Sequence, residues 1–323
     1  MINKITFFLY YAGLVKLSRF INRNKVKILM YHRVDDKKID ILPYYANLNV
    51  SIKNFEEQMR YLSKNYNVIP LNDIININKN KKIKNSVIIT FDDGYIDNYL
   101  YAYPILKKYN LPATIFLPTD FIENKKRYWL NKLYYLINKT NHIDLINEFN
   151  LLTNNKYKEQ LKIQDRILLL EKLQDILKFD VKDREIIISN LLKKFNLKKK
   201  KKYFLSWKQI NEMRDIISFG SHTHSHSILS TLNNNDLENE LKKSKNILIK
   251  KIKSYTDVIA YPWGLFNNNV INNVKKYYKA GLTTIPGFVK KDLYKLKRIP
   301  AYNNGKYIFA SYIELFFLRK LYK

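Results

Sequence analysis

At 323 residues and 46% hydrophobic, the chain can bury a sizeable core as one large α/β domain or two modest ones, and one is the simpler reading. The absence of cysteine excludes disulfide frameworks and thiolate metal sites, so any metal must be held by His, Asp or Glu. A formal net charge of +30, from 58 Lys and Arg against 28 Asp and Glu, favours an anionic partner such as a membrane surface, nucleic acid or acidic glycan; the lysine and asparagine runs at residues 78–85 and 198–202 read equally as solvated faces.

In chain order, residues 1–25 form an amphipathic, basic N-terminal segment. The apolar run from Ile5 to Val15 is followed by Lys16, Arg19, Arg23, Lys25 and Lys27. That run is too short for a transmembrane helix, which takes about 20 residues, and Lys16-Leu17-Ser18-Arg19 is a poor signal-peptide cleavage site. With Leu17, Phe20 and Ile21 among the basic residues, the segment suits a helix lying in a membrane interface; the same stripe also suits a helix packed on the domain.

Residues 26–323 then alternate between strands and helices. KILMYHRV reads as a strand that delivers Tyr31 and His32 at its end, Ile52 to Asn65 as a helix, YNVIP as a short strand and Leu71 to Ile77 as a short helix. A strand from Ser86 to Phe91, a helix from Tyr99 to Tyr109 and a strand from Ala113 to Leu117, bounded by Pro112 and Pro118, follow. From about residue 123 to 205 the patterns are helical with no clear strand, a helical insertion or a cap. The alternation resumes with helices near Trp207 to Arg214, Asn235 to Ile252 and Asn269 to Tyr278, and with strands Ile216 to Gly220, Val258 to Tyr261, and near Leu282 and Arg298. Such alternation predicts an α/β fold with a parallel sheet or barrel.

Two stretches carry chemistry. In ITFDDGYIDN an aliphatic run ends in Asp92 and Asp93, then Gly94; side chains alternate along a strand, so the pair cannot share one face of a regular strand, and a cation would offset their repulsion. In FGSHTHSH, three of the chain's 5 histidines follow a predicted strand. His222 and His226 are four apart, which in a helical turn puts both imidazoles on one face, able to share a metal; two His and one carboxylate would leave a position open for water. A chance histidine cluster is the weaker alternative, given the acidic strand end in the same chain.

TFDDG, HTHSH and AYPWG, in that order, resemble the metal-dependent polysaccharide deacetylases of the NodB-homology type, carbohydrate esterase family 4, over roughly Val26 to Asn303 less the insertion. The resemblance implies a distorted (β/α) barrel with its site at the C-terminal strand ends. By position, Asp92 resembles the catalytic base, Asp93, His222 and His226 the metal ligands, and Thr223 the hydroxyl position, whereas His224 matches no ligand. Ala260 stands where many members carry an arginine, and Arg298 in LKRIP is the substitute cation expected here. No histidine follows His226 to serve as general acid. The early Met30-Tyr31-His32 resembles the subset of biofilm poly-N-acetylglucosamine deacetylases with a circularly permuted motif order, which makes His32 the expected acid.

The implied reaction is hydrolysis of a sugar acetamide in a surface polysaccharide or lipid-linked glycan, releasing acetate, with a divalent metal, zinc before others. A backbone N–H near the AYPWG turn is expected to stabilise the oxyanion, and Tyr261, Pro262 and Trp263 to contact sugar. The alternative class is a catalytically inert glycan- or membrane-binding relative. Partners expected are an N-acetylated glycan and an anionic membrane surface, with no nucleic acid, since no zinc-finger spacing, RNP-like stretch or isolated basic domain is present. The expected location is cytoplasmic and peripheral on the inner face of the membrane.

Overall fold

The apolar runs become short strands: β1 (Lys27–Tyr31), β2 (Arg33–Val34), β3 (Asn49–Val50), β4 (Asn67–Val68), β5 (Ser86–Phe91), β6 (Ala113–Leu117), β7 (Ile217–Ser221), β8 (Val258–Ala260), β9 (Ala280–Leu282) and β10 (Ile299–Pro300). The structure, a computed structural model, describes residues 2–36, 48–75, 84–124, 128–179, 181–197, 203–252 and 255–315. Of the lysine-rich runs, residues 78–83 and 198–202 lie outside these, as do residues 316–323.

Eight strands form one parallel sheet in the order β10-β1-β5-β6-β7-β8-β9, with β4 beside β5. After β9, Leu296 bridges back to Leu282, and β10 pairs with β1 through Leu29↔Ile299 and Met30↔Pro300. Residues 296–300 thus carry the last edge back to the first strand and close the expected distorted (β/α) barrel. Every residue of β5 and of β6 is buried, the near-continuous apolar pattern of strands covered on both faces.

Ile28, Ile88, Phe116, Val258, Ala260, Leu282 and Leu296 share one core cluster. The intervening positions Ile259 and Tyr261 face the other way and pack with Leu237, Leu241, Val270 and Val274 of the helices Asn234–Lys251 and Asn268–Tyr277. Gly220 in β7 leaves room for Phe116: a Cβ there would lie 2.6 Å from the ring.

The helix expected from Tyr99 opens as a π-turn, Asn98–Ala102, before the α-helix Tyr103–Lys108. Pro104 has no N–H to give the carbonyl of Leu100, and the turn before it widens so that Tyr103 N–H reaches Asn98 O. The N-terminal segment is two helices, Ile2–Tyr11 and Leu14–Ile21, broken at Gly13 with φ 77°.

The chain divides into two compact units. One holds the barrel, with the described residues among 2–36, 48–124 and 204–315. The other comprises residues 37–46, which lie outside the described ones, and 125–203. In the second unit, the helices Trp129–Lys139, His142–Leu152, Arg166–Phe179 and Val181–Lys194 bury Leu133, Phe149, Leu173 and Leu191. Asn141 caps one of them, its side chain accepting from Ile143 N at 2.8 Å.

Candidate active site

Parallel register gathers the site from distant parts of the chain. β1 and β5 pair as far as Tyr31↔Phe91, and Asp92 N–H donates to Tyr31 O at 3.0 Å, so His32 and Asp92 leave the barrel side by side. β6 and β7 pair to Leu117↔Ser221, and His222 N–H donates to Leu117 O at 2.9 Å. Ser221↔Ile259 then sets His222 beside Ala260. All of these are C-terminal strand ends, where βα loops carry the chemistry of barrels.

Beyond the last paired residues the backbone turns sharply. Asp93 (φ 71°), Thr223 (φ 64°) and His226 (φ 60°) occupy the left-handed region, which costs a non-glycine residue about 1–2 kcal/mol. Gly94 follows at φ 62° without that cost, and a Cβ on it would meet Leu117 at 2.7 Å. These turns let the adjacent carboxylates diverge. The histidines come from an irregular loop rather than the helical turn their spacing suggested; the left-handed residues bring both rings together, with centroids 4.6 Å apart.

Asp92 faces Arg298, whose Nη1 and Nη2 donate to Oδ1 and Oδ2, each at 2.7 Å. Arg298 is wholly buried, with Nε donating to Thr283 O at 2.9 Å. It sits in the barrel-closing segment just before β10, which aims it at the carboxylate that follows β5. Burial alone would raise the Asp92 carboxyl; the guanidinium outweighs it and holds the pKa below the usual aspartate value. His32 Nε2 lies 3.9 Å from Asp92 Oδ2. Burial pushes the His32 pKa down, against the pull of Asp92 and Asp93.

Asp93 turns the other way. Its Oδ1 lies 3.4 Å from His222 Nε2 and 3.1 Å from His226 Nε2, and all three residues are buried. Two ligands bound at about 2.0–2.1 Å around a tetrahedral ion sit about 3.3 Å apart, so both spacings suit donors sharing one cation. His222 Nδ1 lies 2.8 Å from Ala260 O; donating there places its lone pair on Nε2, toward Asp93. The donor set of one carboxylate and two imidazoles therefore fits a divalent metal with open positions. Burial would raise the Asp93 carboxyl, but hydrogen bonds that His222 and His226 donate when protonated at Nε2, the form without a lone pair for an ion, hold it well below the aspartate range.

The remaining expected residues divide. Thr223 is buried between the two histidines. His224 is not in the cluster; its Nδ1 lies 3.0 Å from Thr119 Oγ1 and its Nε2 3.9 Å from Asp120 Oδ1. Pro262 is buried, and Trp263 is half-buried in a left-handed turn at φ 60°. Tyr261 corrects the expectation of a sugar contact: it is fully buried on the outward face of β8, stacked on Phe266 at 5.1 Å, with its hydroxyl donating to Tyr294 O at 3.0 Å. Three N–H groups of this turn are engaged within the fold. Tyr261 N–H donates to Leu282 O, Gly264 N–H to Tyr261 O and Leu265 N–H to Pro262 O.

Sequence reasoning missed the groups that hold the loops. Glu240 Oε2 accepts from His224 N at 3.0 Å and Ser225 N at 2.8 Å, while Oε1 accepts from Ser225 Oγ at 2.7 Å. Its signal was an acidic residue next to the apolar positions Leu237 and Leu241 of one helix. Asp97 accepts from Arg33 Nε at 2.8 Å and Val34 N at 3.1 Å, and Asn98 Nδ2 donates to His32 O at 2.9 Å. Those bonds fix the segment that follows His32.

Comparison with known proteins places these residues in context. A family model described as polysaccharide deacetylase matches residues 79–283. A poly-β-1,6-N-acetyl-D-glucosamine N-deacetylase from Staphylococcus aureus is 27% identical over 279 residues, covering 80% of this chain and 70% of its own. Among solved structures, a polysaccharide deacetylase from Bacillus cereus superposes with a TM-score of 0.58 at 26% identity, over 90% of this chain and 69% of its own. A Streptococcus pyogenes deacetylase in complex with acetate shares the fold, with a TM-score of 0.57 at 24% identity over 87% of this chain and 94% of its own.

Proposed function

The chain belongs to the polysaccharide deacetylase family, hydrolases of carbon–nitrogen bonds, and from that premise we propose that it removes acetyl groups from N-acetylated sugars of a surface polysaccharide or lipid-linked glycan. The observation that carries this reading is the pairing of two adjacent carboxylates with opposite surroundings: Asp92 forked by Arg298, Asp93 facing two imidazoles. The S. aureus relative, by its name an N-deacetylase of poly-β-1,6-N-acetyl-D-glucosamine, supports an N-acetylglucosamine polymer as substrate class.

Asp93, His222 and His226 would hold the divalent ion, with zinc first among those suited to two imidazoles and a carboxylate. Such an ion, when bound, polarises an amide carbonyl and lowers the pKa of water. Asp92, kept anionic by Arg298, is oriented to accept the proton that the attacking water gives up. The same guanidinium makes Asp92 a poor keeper of that proton, which favours passing it on. His32, 3.9 Å away, faces the same space and would deliver a proton to the departing nitrogen. Acetate and a free amino sugar result. Trp263, half-buried in the turn after Ala260, would be the aromatic that meets the sugar.

The inert alternative drew on Ala260 in place of the family arginine. The bidentate bond from Arg298 to Asp92 supports an active enzyme instead, since a charge of the same kind reaches the same carboxylate from another segment of the chain. The net charge of +30 supports a substrate presented at an anionic membrane surface.

The test is acetate release from a panel of N-acetylated oligosaccharides and lipid-linked glycans, with and without chelator, beside Asp93→Asn. Chelator-sensitive release that the variant loses is expected. No release from any panel member, with metal bound at one per chain, would overturn the reading.

A further inference from the structure

The two N-terminal helices turn a row of large apolar side chains outward, whereas a helix on a water-soluble domain keeps its apolar stripe inward. At 100° per residue, Phe7, Phe8 and Tyr11 fall within an arc of about 100°, and so do Leu17, Phe20 and Ile21 on the second helix. All six are exposed, Phe8 by 67%, Phe20 by 61% and Ile21 by 68%. The inward faces carry Thr6 and Val15, both buried, and polar ties: Ser311 Oγ donates to Thr6 O at 3.3 Å, Ser18 Oγ to Glu314 O at 3.0 Å and Arg19 Nη1 to Asn65 Oδ1 at 2.5 Å. The helices are fastened to the barrel by these ties and by the rings of Phe7, Tyr10 and Tyr11 against Tyr307, while Phe8, Leu17, Phe20 and Ile21 are left outward. A contiguous apolar face of this kind marks an interaction surface.

We propose that this face seats the enzyme in the interfacial layer of an anionic lipid membrane, the helices lying in its plane. Among the described residues no helix is long and apolar enough to cross a membrane, which leaves in-plane docking as the mode. Charge selects the occupant. Exposed Lys16 borders the apolar arc, the Arg23 guanidinium lies 4.1 Å from the centre of the Phe20 ring, at the edge of the same arc, and Lys25 is exposed in the segment that follows the helix. A second copy of the chain would bring its own +30 against this border and be repelled; anionic headgroups complement it. The proposal deepens the membrane-proximal part of the reading above, and its test involves no substrate, so the two fail separately.

The full chain is sedimented with phosphatidylcholine vesicles, with and without phosphatidylglycerol, at low and high salt, and its mass in solution is measured by light scattering. The chain is expected to be monomeric and to pellet with anionic vesicles. Phe8→Glu with Phe20→Glu should weaken that binding by at least about tenfold, since each aromatic loses its apolar transfer energy. Both side chains are exposed, so the thermal midpoint should stay put. Lys16→Glu with Lys25→Glu should lower binding to anionic vesicles only. Failure to bind either vesicle overturns the proposal, as does binding that ignores the aromatic pair, which is surface adsorption by charge alone. A dimer dissociated by the aromatic pair assigns the face to a second copy instead.

Discussion

Arg298 and Asp92 form a buried bidentate pair, so replacing the guanidinium tests both roles assigned to it. In Arg298→Lys the fork becomes a single point contact. With the charge pull weakened, burial dominates and the Asp92 carboxyl rises. A base with a raised pKa is protonated at higher pH, so the acid limb of the kcat/KM profile should move upward, with a loss of about 10²–10⁴-fold at neutral pH. An unchanged acid limb would remove Asp92 from the role of base. Glu240 acts through the loop it holds: its carboxylate accepts three bonds from Ser225 and the His224 N–H. Glu240→Gln keeps the shape but offers one acceptor oxygen and an NH₂ group that cannot accept. Metal affinity, read by competition with a chromophoric chelator, should fall about 10–100-fold, the scale for groups that orient ligands. Equal affinity in wild type and variant would make Glu240 merely a helix-to-loop tether.

At the level of elements, β5 and β6 were legible because a continuous apolar run between turn residues leaves little choice; Ser86–Phe91 and Ala113–Leu117 fold with the boundaries read from the sequence. The candidate metal residues were legible for a different reason, since Asp93, His222 and His226 sit in dense short motifs that survive any local backbone detail. What escaped depends on register and on side-chain direction. Tyr261 follows a three-residue strand, and sharing the face of Ile259 turns it outward into the helices, whereas only the carbonyl of Ala260 reaches His222. Glu240 lies fourteen positions beyond His226, and nothing local ties it to the metal loop. The same alternation explains Gly220, whose missing side chain is occupied by Phe116. Gly220→Val should force the ring from its place and destabilise the fold by about 1–3 kcal/mol, the usual cost of overpacking. Chemical denaturation checks this; a stability within error of wild type would mean that the barrel interior relaxes freely.

On the scale of the whole barrel unit, the last described helix is tied back to the first strand by a buried ion pair. Lys27, at the start of β1, places Nζ 3.3 Å from Glu314 Oε1, both side chains being almost wholly buried, and the Tyr66 hydroxyl donates to the same carboxylate oxygen. Two opposed shifts follow from that burial: desolvation raises the Glu314 carboxyl despite Lys27, and lowers the Lys27 ammonium despite Glu314. The folded state therefore binds more protons than the unfolded one between the unfolded and folded pKa values of Glu314, and stability falls as pH rises through that window. For Lys27 the unfolded state binds more protons between the lowered folded value and the unfolded one, so stability rises with pH there. The pair contributes least in the range between the windows, where both groups are ionised and desolvation is only repaid by their mutual attraction. Glu314→Gln, which leaves Lys27 charged and unpaired in the core, should cost about 3–5 kcal/mol at neutral pH. Lys27→Met added to it should restore most of that loss, because no buried charge then remains, and should flatten both pH dependences. Denaturant melts of the two single variants and the double variant across pH give the coupling directly. Additive losses would show that the two charges fold independently, with helix Lys306–Glu314 held to the barrel by its apolar contacts alone.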